Sequence, residues 1–219
     1  MSDDDASEPL DGEAIMAGMA MRPTNVAHFD DAYSGTPPWD IGHPQPAFLA
    51  LSASDKLRGR VLDIGCGTGE HALMSAGLGF EVAGIDNAAA AIAKARDKAR
   101  TRNLSATFVV GDVCDVQTMS ELGPFDTVLD CGLFHILGDP DRSRFSDALA
   151  EATAPGCRYF LLCFNEHVPG DWGPRRLTKD DIHRSFEQCW DVEEIMASHL
   201  EIIPPPGDVP GWLAVLSKR

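Results

Sequence analysis

A run of glycines and three acids stand at spacings suited to holding a small charged ligand. Val61-Leu-Asp-Ile-Gly-Cys-Gly-Thr-Gly-Glu70 places Asp63 at the end of an apolar run, with Gly65, Gly67 and Gly69 in the turn that follows. Glycines let backbone N–H groups approach a ligand closely, and a helix N-terminus beyond them favours a carboxylate or phosphate. A dinucleotide turn, G-x-G-x-x-G/A, would need Gly or Ala at position 70, where Glu70 stands. That glutamate would repel a pyrophosphate. A ligand with an ammonium beside its carboxylate suits the turn better, with Asp63 facing the ammonium. Asp86 lies 21 residues after Gly65, where an acid can hold a ribose diol or cap the segment that begins at Asn87. Asp112, in Gly111-Asp-Val113, can accept from an adenine amino group or sit in a surface turn.

These residues need a scaffold that brings strand ends together. Arg60–Ile64, Phe80–Ile85, Ala106–Val110, Phe125–Leu129 and Arg158–Phe164 read as strands, mostly continuous apolar runs of the kind covered on both faces. Between them, Glu70–Gly77, Ala88–Arg102 and Arg142–Thr153 read as helices, the last ended by Pro155-Gly156. Alternating strands and helices imply a doubly wound parallel α/β sheet. Thr178–Phe186 reads as a further helix. Trp190–Ala197 and Trp212–Ser217 follow without a crossover helix between them, so they should pair antiparallel. Ahead of this domain, Asn25–Tyr33, capped by Asn25, and Phe48–Ser54 read as short helices around a Pro/Gly-rich stretch, residues 35–46. The acidic tail, residues 1–22, reads as disordered apart from a short helix over Asp11–Met21.

Composition narrows the partners. The chain has 219 residues and a net charge of −16, which argues against nucleic acid. Lys94, Arg96, Lys98, Arg100 and Arg102 read as splayed around one helix, a solvated face. No apolar run is long enough for a membrane span. An acidic N-terminus is unlike a secretory signal, so a cytoplasmic location is expected. The six cysteines form no C-x-x-C pair and no zinc spacing, so no metal site is expected and the thiols read as reduced and buried.

Asp63-Ile-Gly-Cys-Gly-Thr-Gly69, Asp86, Gly111-Asp112 and Phe125-Asp-Thr-Val-Leu-Asp130 together resemble class I S-adenosylmethionine (SAM)-dependent methyltransferases over about residues 58–165. The resemblance implies a seven-stranded Rossmann-like sheet of order 3-2-1-4-5-7-6 with strand 7 antiparallel, in a domain over residues 58–219. It also implies SAM as cofactor. The SAM set is then Asp63, Gly65, Cys66, Gly67 and Gly69 in the glycine turn, Asp86 and Asn87 after strand 2, Asp112 and Val113 after strand 3, and Asp130 at the end of strand 4. Pro38-Trp-Asp-Ile-Gly-His-Pro-Gln-Pro46, with Phe134-His135, is similar to small-molecule methyltransferases related to the thiopurine S-methyltransferases. These include mycobacterial enzymes acting on heterocyclic toxins and quinones. That likeness implies an N-terminal lid, residues 23–57, with Trp39 and Gln45 over the SAM site.

A phenol-like acceptor, with an ordinary pKa near 10, would gain from a base. His135 is the candidate, because it follows strand 4 at the ligand-binding edge of the sheet; His43 and His167 are weaker ones. A thiol acceptor needs a base less. Phe29, Trp39, Phe134 and Trp172 could form an aromatic wall for a flat acceptor, and Arg175 and Arg176 read chiefly as solvated loop residues. The expected protein is a monomer or homodimer that methylates a hydroxyl or thiol of a small aromatic molecule. The competing readings are an NAD-dependent oxidoreductase and a non-catalytic SAM sensor.

Overall fold

In the computed structural model, which describes residues 26–203 and 208–219, the apolar runs form one seven-stranded sheet. Its strands are β1 (Val61–Ile64), β2 (Val82–Asp86), β3 (Thr107–Val110), β4 (Phe125–Cys131), β5 (Thr153–Phe164), β6 (Trp190–Glu201) and β7 (Asp208–Lys218). They lie in the order β3-β2-β1-β4-β5-β7-β6. The first five are parallel, and β7 runs antiparallel to both β5 and β6. The helices are α1 (Val26–Ala32), α2 (Pro46–Ala53), α3 (Glu70–Gly77), α4 (Ala89–Arg102), α5 (Val116–Leu122), α6 (Asp139–Glu151) and α7 (Lys179–Phe186), with a 3-10 turn at Phe134–Ile136. The expected 1–22 tail and the cap at Asn25 lie outside the described residues.

Both faces of the sheet are covered, which explains why the central strands are apolar throughout. Val61 packs on one face with Phe48 of α2 and Leu73 of α3. Its neighbour Leu62 points the other way, toward Met119, Phe145 and Phe186. This alternation within a continuous apolar run is what a two-sided core requires.

Five elements differ most from the sequence reading. Helix α5 was not expected; its seven residues are too few for periodicity to show, and Asp115 caps it by accepting from the Gln117 N–H at 3.3 Å. Helix α6 starts three residues early, at Asp139, with Pro140 preset for a first turn. Strand β5 starts at Thr153 and runs through Pro155-Gly156, so α6 ends at Glu151, before the pair expected to stop it, because Thr153 already pairs with Phe125. Strands β6 and β7 extend past Ala197 and before Trp212, because Leu200 pairs with Val209 and Glu201 with Asp208. The extension carries the end of β6 to the edge of the sheet where the glycine turn lies.

Candidate active site

The C-terminal ends of β1 to β5 meet in a cavity of about 230 Å³. Its floor is the glycine turn. Gly65, Gly67 and Gly69 all have positive φ (60°, 52° and 85°), a region that side chains disfavour. A Cβ on Gly67 would stand 2.6 Å from the Tyr33 hydroxyl, so only glycine fits beneath the covering segment there. Asp86 fixes this turn from the next strand: Oδ2 accepts from the Gly67 N–H and Oδ1 from the Ala88 N–H, both at 2.8 Å. Burial raises its pKa, opposed by those N–H groups. Asp86 thus ties down the chain before α4 and also lines the cavity. Farther along, Asp112 Oδ1 accepts from the Cys114 N–H at 2.8 Å, and Oδ2 lies 3.8 Å from Arg144. Cys66, Asn87 and Val113 also line the cavity.

Five expected site residues stand behind the wall. Asp63 is buried, and its Oδ2 accepts from the Ala72 N–H at 2.9 Å, in the first turn of α3. Burial pushes its pKa up to about 8, with Asp86 and Asp130 adding to the rise. It ties the strand to the helix beneath the turn and does not line the cavity. Gly69 packs against Phe108 and Ala95. Asp130 accepts from the Leu133 N–H at 2.9 Å, the Phe134 N–H and the Tyr159 hydroxyl at 2.8 Å, so it shapes the 3-10 turn from below. Burial holds its pKa at about 7. Phe134 lies in the core between Phe145 and Phe186, because successive residues of a tight turn face different sides and His135 takes the cavity side. Trp172 stands edge-on to Phe164, 5.8 Å between rings, and so supports the cavity's lining from outside.

The N-terminal segment covers the floor. Phe29 and Trp39 line the cavity, and Trp39 donates its indole N–H to Tyr33 at 2.8 Å. Asp40 accepts from Thr68 at 2.6 Å, beside the glycine turn. The helix read as a solvated basic face is partly the opposite. Lys98 and Arg102, one turn apart on α4, converge on the buried Glu70, Lys98 at 2.7 Å and Arg102 through two bonds at 2.7 and 2.8 Å. Burial works to raise the Glu70 pKa, but the bonds from Arg102 and Lys98 prevail and hold it low. Lys98 also donates to Thr68 at 2.6 Å. Glu70 is thus neutralised where a dinucleotide turn would have its third small residue.

Two contacts on this side were not read beforehand. The Gln45 amide pairs with the backbone of Glu201 in both directions, donating at 2.9 Å and accepting at 2.8 Å. The Gln45 N–H donates to His71 Nε2 at 3.1 Å, and burial lowers the His71 pKa to about 4, so that ring is neutral. His43 lies 3.4 Å from Glu201, whereas His167 stands off the cavity against Trp212. Arg175 pairs with Asp139 and Asp181, and Arg176 donates to loop carbonyls at Trp172 and Pro174; neither lines the cavity. His135 does line it, with Nδ1 accepting from the Phe164 N–H at 3.0 Å. Among the described residues there is no metal-ligating cluster and no helix long and apolar enough to cross a membrane.

Residues 61–156 match the methyltransferase-domain family. The 2-heptyl-1-hydroxyquinolin-4(1H)-one methyltransferase of Mycobacteroides abscessus is 33% identical over 183 residues, spanning 78% of this chain and 80% of the relative. The chain belongs to the SAM-dependent methyltransferases. A solved structure reported under "Conversion of a Disulfide Bond into a Thioacetal Group during Echinomycin Biosynthesis" superposes with a TM-score of 0.81 at 34% identity, covering 89% of this chain and 93% of the other. Magnesium protoporphyrin IX methyltransferase from Synechocystis PCC 6803 with bound SAM shares the fold, with a TM-score of 0.59 at 18% identity over 89% and 81% of the chains. The cofactor of this methyltransferase is SAM, and its acceptor is a small molecule. The residues present fit that cofactor: a glycine turn whose Gly65 and Gly67 line the cavity, a carboxylate at Asp86, and an exposed acid at Asp112. The NAD reading is overturned, in keeping with Glu70.

Proposed function

We propose that this methyltransferase transfers the SAM methyl group to a hydroxyl or thiol of a small aromatic or heteroaromatic molecule by in-line displacement. The observation that carries this reading is one cavity with two unlike halves. The glycine turn, Asp86 and Asp112 form one half, and Ile41, Phe164, Leu200 and Ile202 give the other an apolar lining suited to a flat acceptor. The bound cofactor supplies an electrophilic methyl on a good leaving group, so the protein's own contribution is to position and to exclude water. Asp86 and the glycine turn hold the donor, while Trp39 and the Gln45 clasp close the N-terminal segment, residues 26–57, over it as a lid. Residues 58–219 are the methyltransferase domain proper. The −16 charge disfavours nucleic-acid acceptors, and we place the protein in the cytoplasm as a monomer or homodimer.

The test is to measure SAM binding by calorimetry, then to offer labelled SAM with phenols, thiols and N-hydroxy heterocycles, beginning with the relative's hydroxyquinolinone. Micromolar binding with turnover of at least one acceptor class is expected. Folded protein that binds no SAM would end the reading, and binding without any turnover would leave a sensor.

A further inference from the structure

Resting on that reading, we infer that His135 is a hydrogen-bond donor to the methyl acceptor rather than its base, and that the acceptors are acidic heteroaromatic hydroxyls or thiols that reach the site as anions. The argument begins with the ring's two nitrogens. Nδ1 accepts from the Phe164 N–H, so it carries no proton, and the proton of the neutral ring sits on Nε2. Phe164 is the last residue of β5 and is paired with Gly211, so the sheet holds its N–H in place. A base needs a free lone pair; the only one on this ring is already used.

The surroundings act the same way. Burial, with the charges of Arg142 and Arg176 adding to it, lowers the His135 pKa to about 3. Arg142 is itself buried, with Nε and Nη2 lacking a partner and the exposed Asp139 its nearest counter-charge, at 3.9 Å. A chain of net charge −16 thus keeps a positive local field beside this one histidine. Nε2 makes no hydrogen bond within the described residues. Gly132 keeps it open, since a Cβ there would lie 3.1 Å from Nε2, and both residues line the cavity.

The acids and the other histidines that line the cavity already have protein partners. Glu201 faces His43, and His43 Nδ1 lies 3.0 Å from the Pro44 carbonyl. His71 spends its lone pair on the Gln45 N–H. Asp40 accepts from Thr68, and Glu70 is held by Lys98 and Arg102. Asp86 accepts two N–H groups, Asp112 accepts from Cys114, and Asp141 pairs with Arg144. On this inference the acceptor loses its proton to solvent before it binds. In the transfer its lone pair forms the bond to the methyl carbon, the carbon–sulfur bond breaks, and that electron pair stays on sulfur. An anion and a sulfonium become two uncharged groups, and no proton moves.

The experiment measures kcat/KM against pH for the full chain, using labelled SAM and hydroxyl and thiol acceptors graded in acidity. The acid-side midpoint is expected to follow each acceptor's own pKa. His135→Phe removes a charge-assisted hydrogen bond to the bound anion and should lower kcat/KM on the order of 100-fold at every pH without moving that midpoint, and His135→Gln, which keeps a donor, should recover much of the loss. A midpoint shared by all acceptors and lost in His135→Phe would establish a base and overturn the inference, while leaving the methyltransferase reading intact. If the variants do not fold, the wild-type midpoints alone decide. Turnover of no acceptor despite SAM binding would instead overturn the reading on which this rests.

Discussion

Gly67, in the turn that follows β1, and the Asp86 carboxylate that holds it, at the end of the neighbouring β2, are 19 residues apart. Gln45 and the Glu201 backbone it clasps are 156 residues apart and come from opposite ends of the chain. The floor of the cavity is thus built from local backbone geometry, while the cover is built from distant side chains. The floor's partners are fixed once β1 and β2 pair. The cover's partners meet only when the last two strands have formed, so ordering the segment must offset the entropy of closing a long loop. On the proposal above, the floor holds the cofactor, while the cover that closes over it also borders the apolar half meant for the acceptor. Damage to one should therefore be separable from damage to the other.

The sharpest break is expected at the floor. Asp86→Ala removes the acceptor for two backbone N–H groups and the carboxylate proposed to hold the donor. SAM affinity measured by calorimetry should fall on the order of 100-fold, about 2.7 kcal/mol, with the circular dichroism of the sheet unchanged. A fall of less than about fivefold would mean that the turn holds its shape without Asp86.

A smaller and differently distributed effect is expected at the cover. Gln45→Ala leaves the Glu201 N–H and carbonyl without their partner, a cost of about 2 kcal/mol. The loss should appear in kcat/KM for the acceptor, roughly tenfold to thirtyfold, while SAM affinity changes less than about threefold. Equal losses in both would show that floor and cover act as one unit, and the comparison would fail.

This division also decides what the sequence makes legible. Glycines at 65, 67 and 69 state a backbone conformation directly, and Asp86 falls at a strand end whose place is set by spacing. The direction of a side chain is another matter. Asp63 and Asp130 are at the expected strand ends, but both point beneath the turn, because unpaired N–H groups of α3 and of the 3-10 turn lie there. His135 is in the cavity as expected, yet its tautomer is set by an N–H on β5, which no local pattern encodes. Phe134 and His135 exchange core for cavity within one residue, so the reading of both depended on a turn too short to recognise. Lys98 and Arg102 carry a usable signal, their spacing of four on a helix, but their partner Glu70 is on α3. The Gln45 clasp leaves no trace in sequence beyond a glutamine among prolines.

The finest probe of the cover is His71, which the Gln45 N–H needs in its neutral form. Its pKa in the folded protein is about 4, against an ordinary value near 6.5. As pH falls below about 6.5 the unfolded chain takes up this proton and the folded one does not, so the histidine withdraws stability until about pH 4 and changes nothing further below that. His135 acts in the same direction, down to about pH 3. Asp63 and Asp130 act oppositely, because their raised pKa values let the folded state bind protons first, from about pH 8 downward. The wild-type acid limb therefore mixes both signs, and only a difference between variants isolates His71. His71→Gln keeps an acceptor for the Gln45 N–H but cannot titrate. Urea unfolding should show wild type losing about 1–2 kcal/mol relative to His71→Gln between pH 6.5 and pH 5. A pH-independent difference would mean that the ring is reached by solvent and protonated in place, and that the cover already opens there under mild acid.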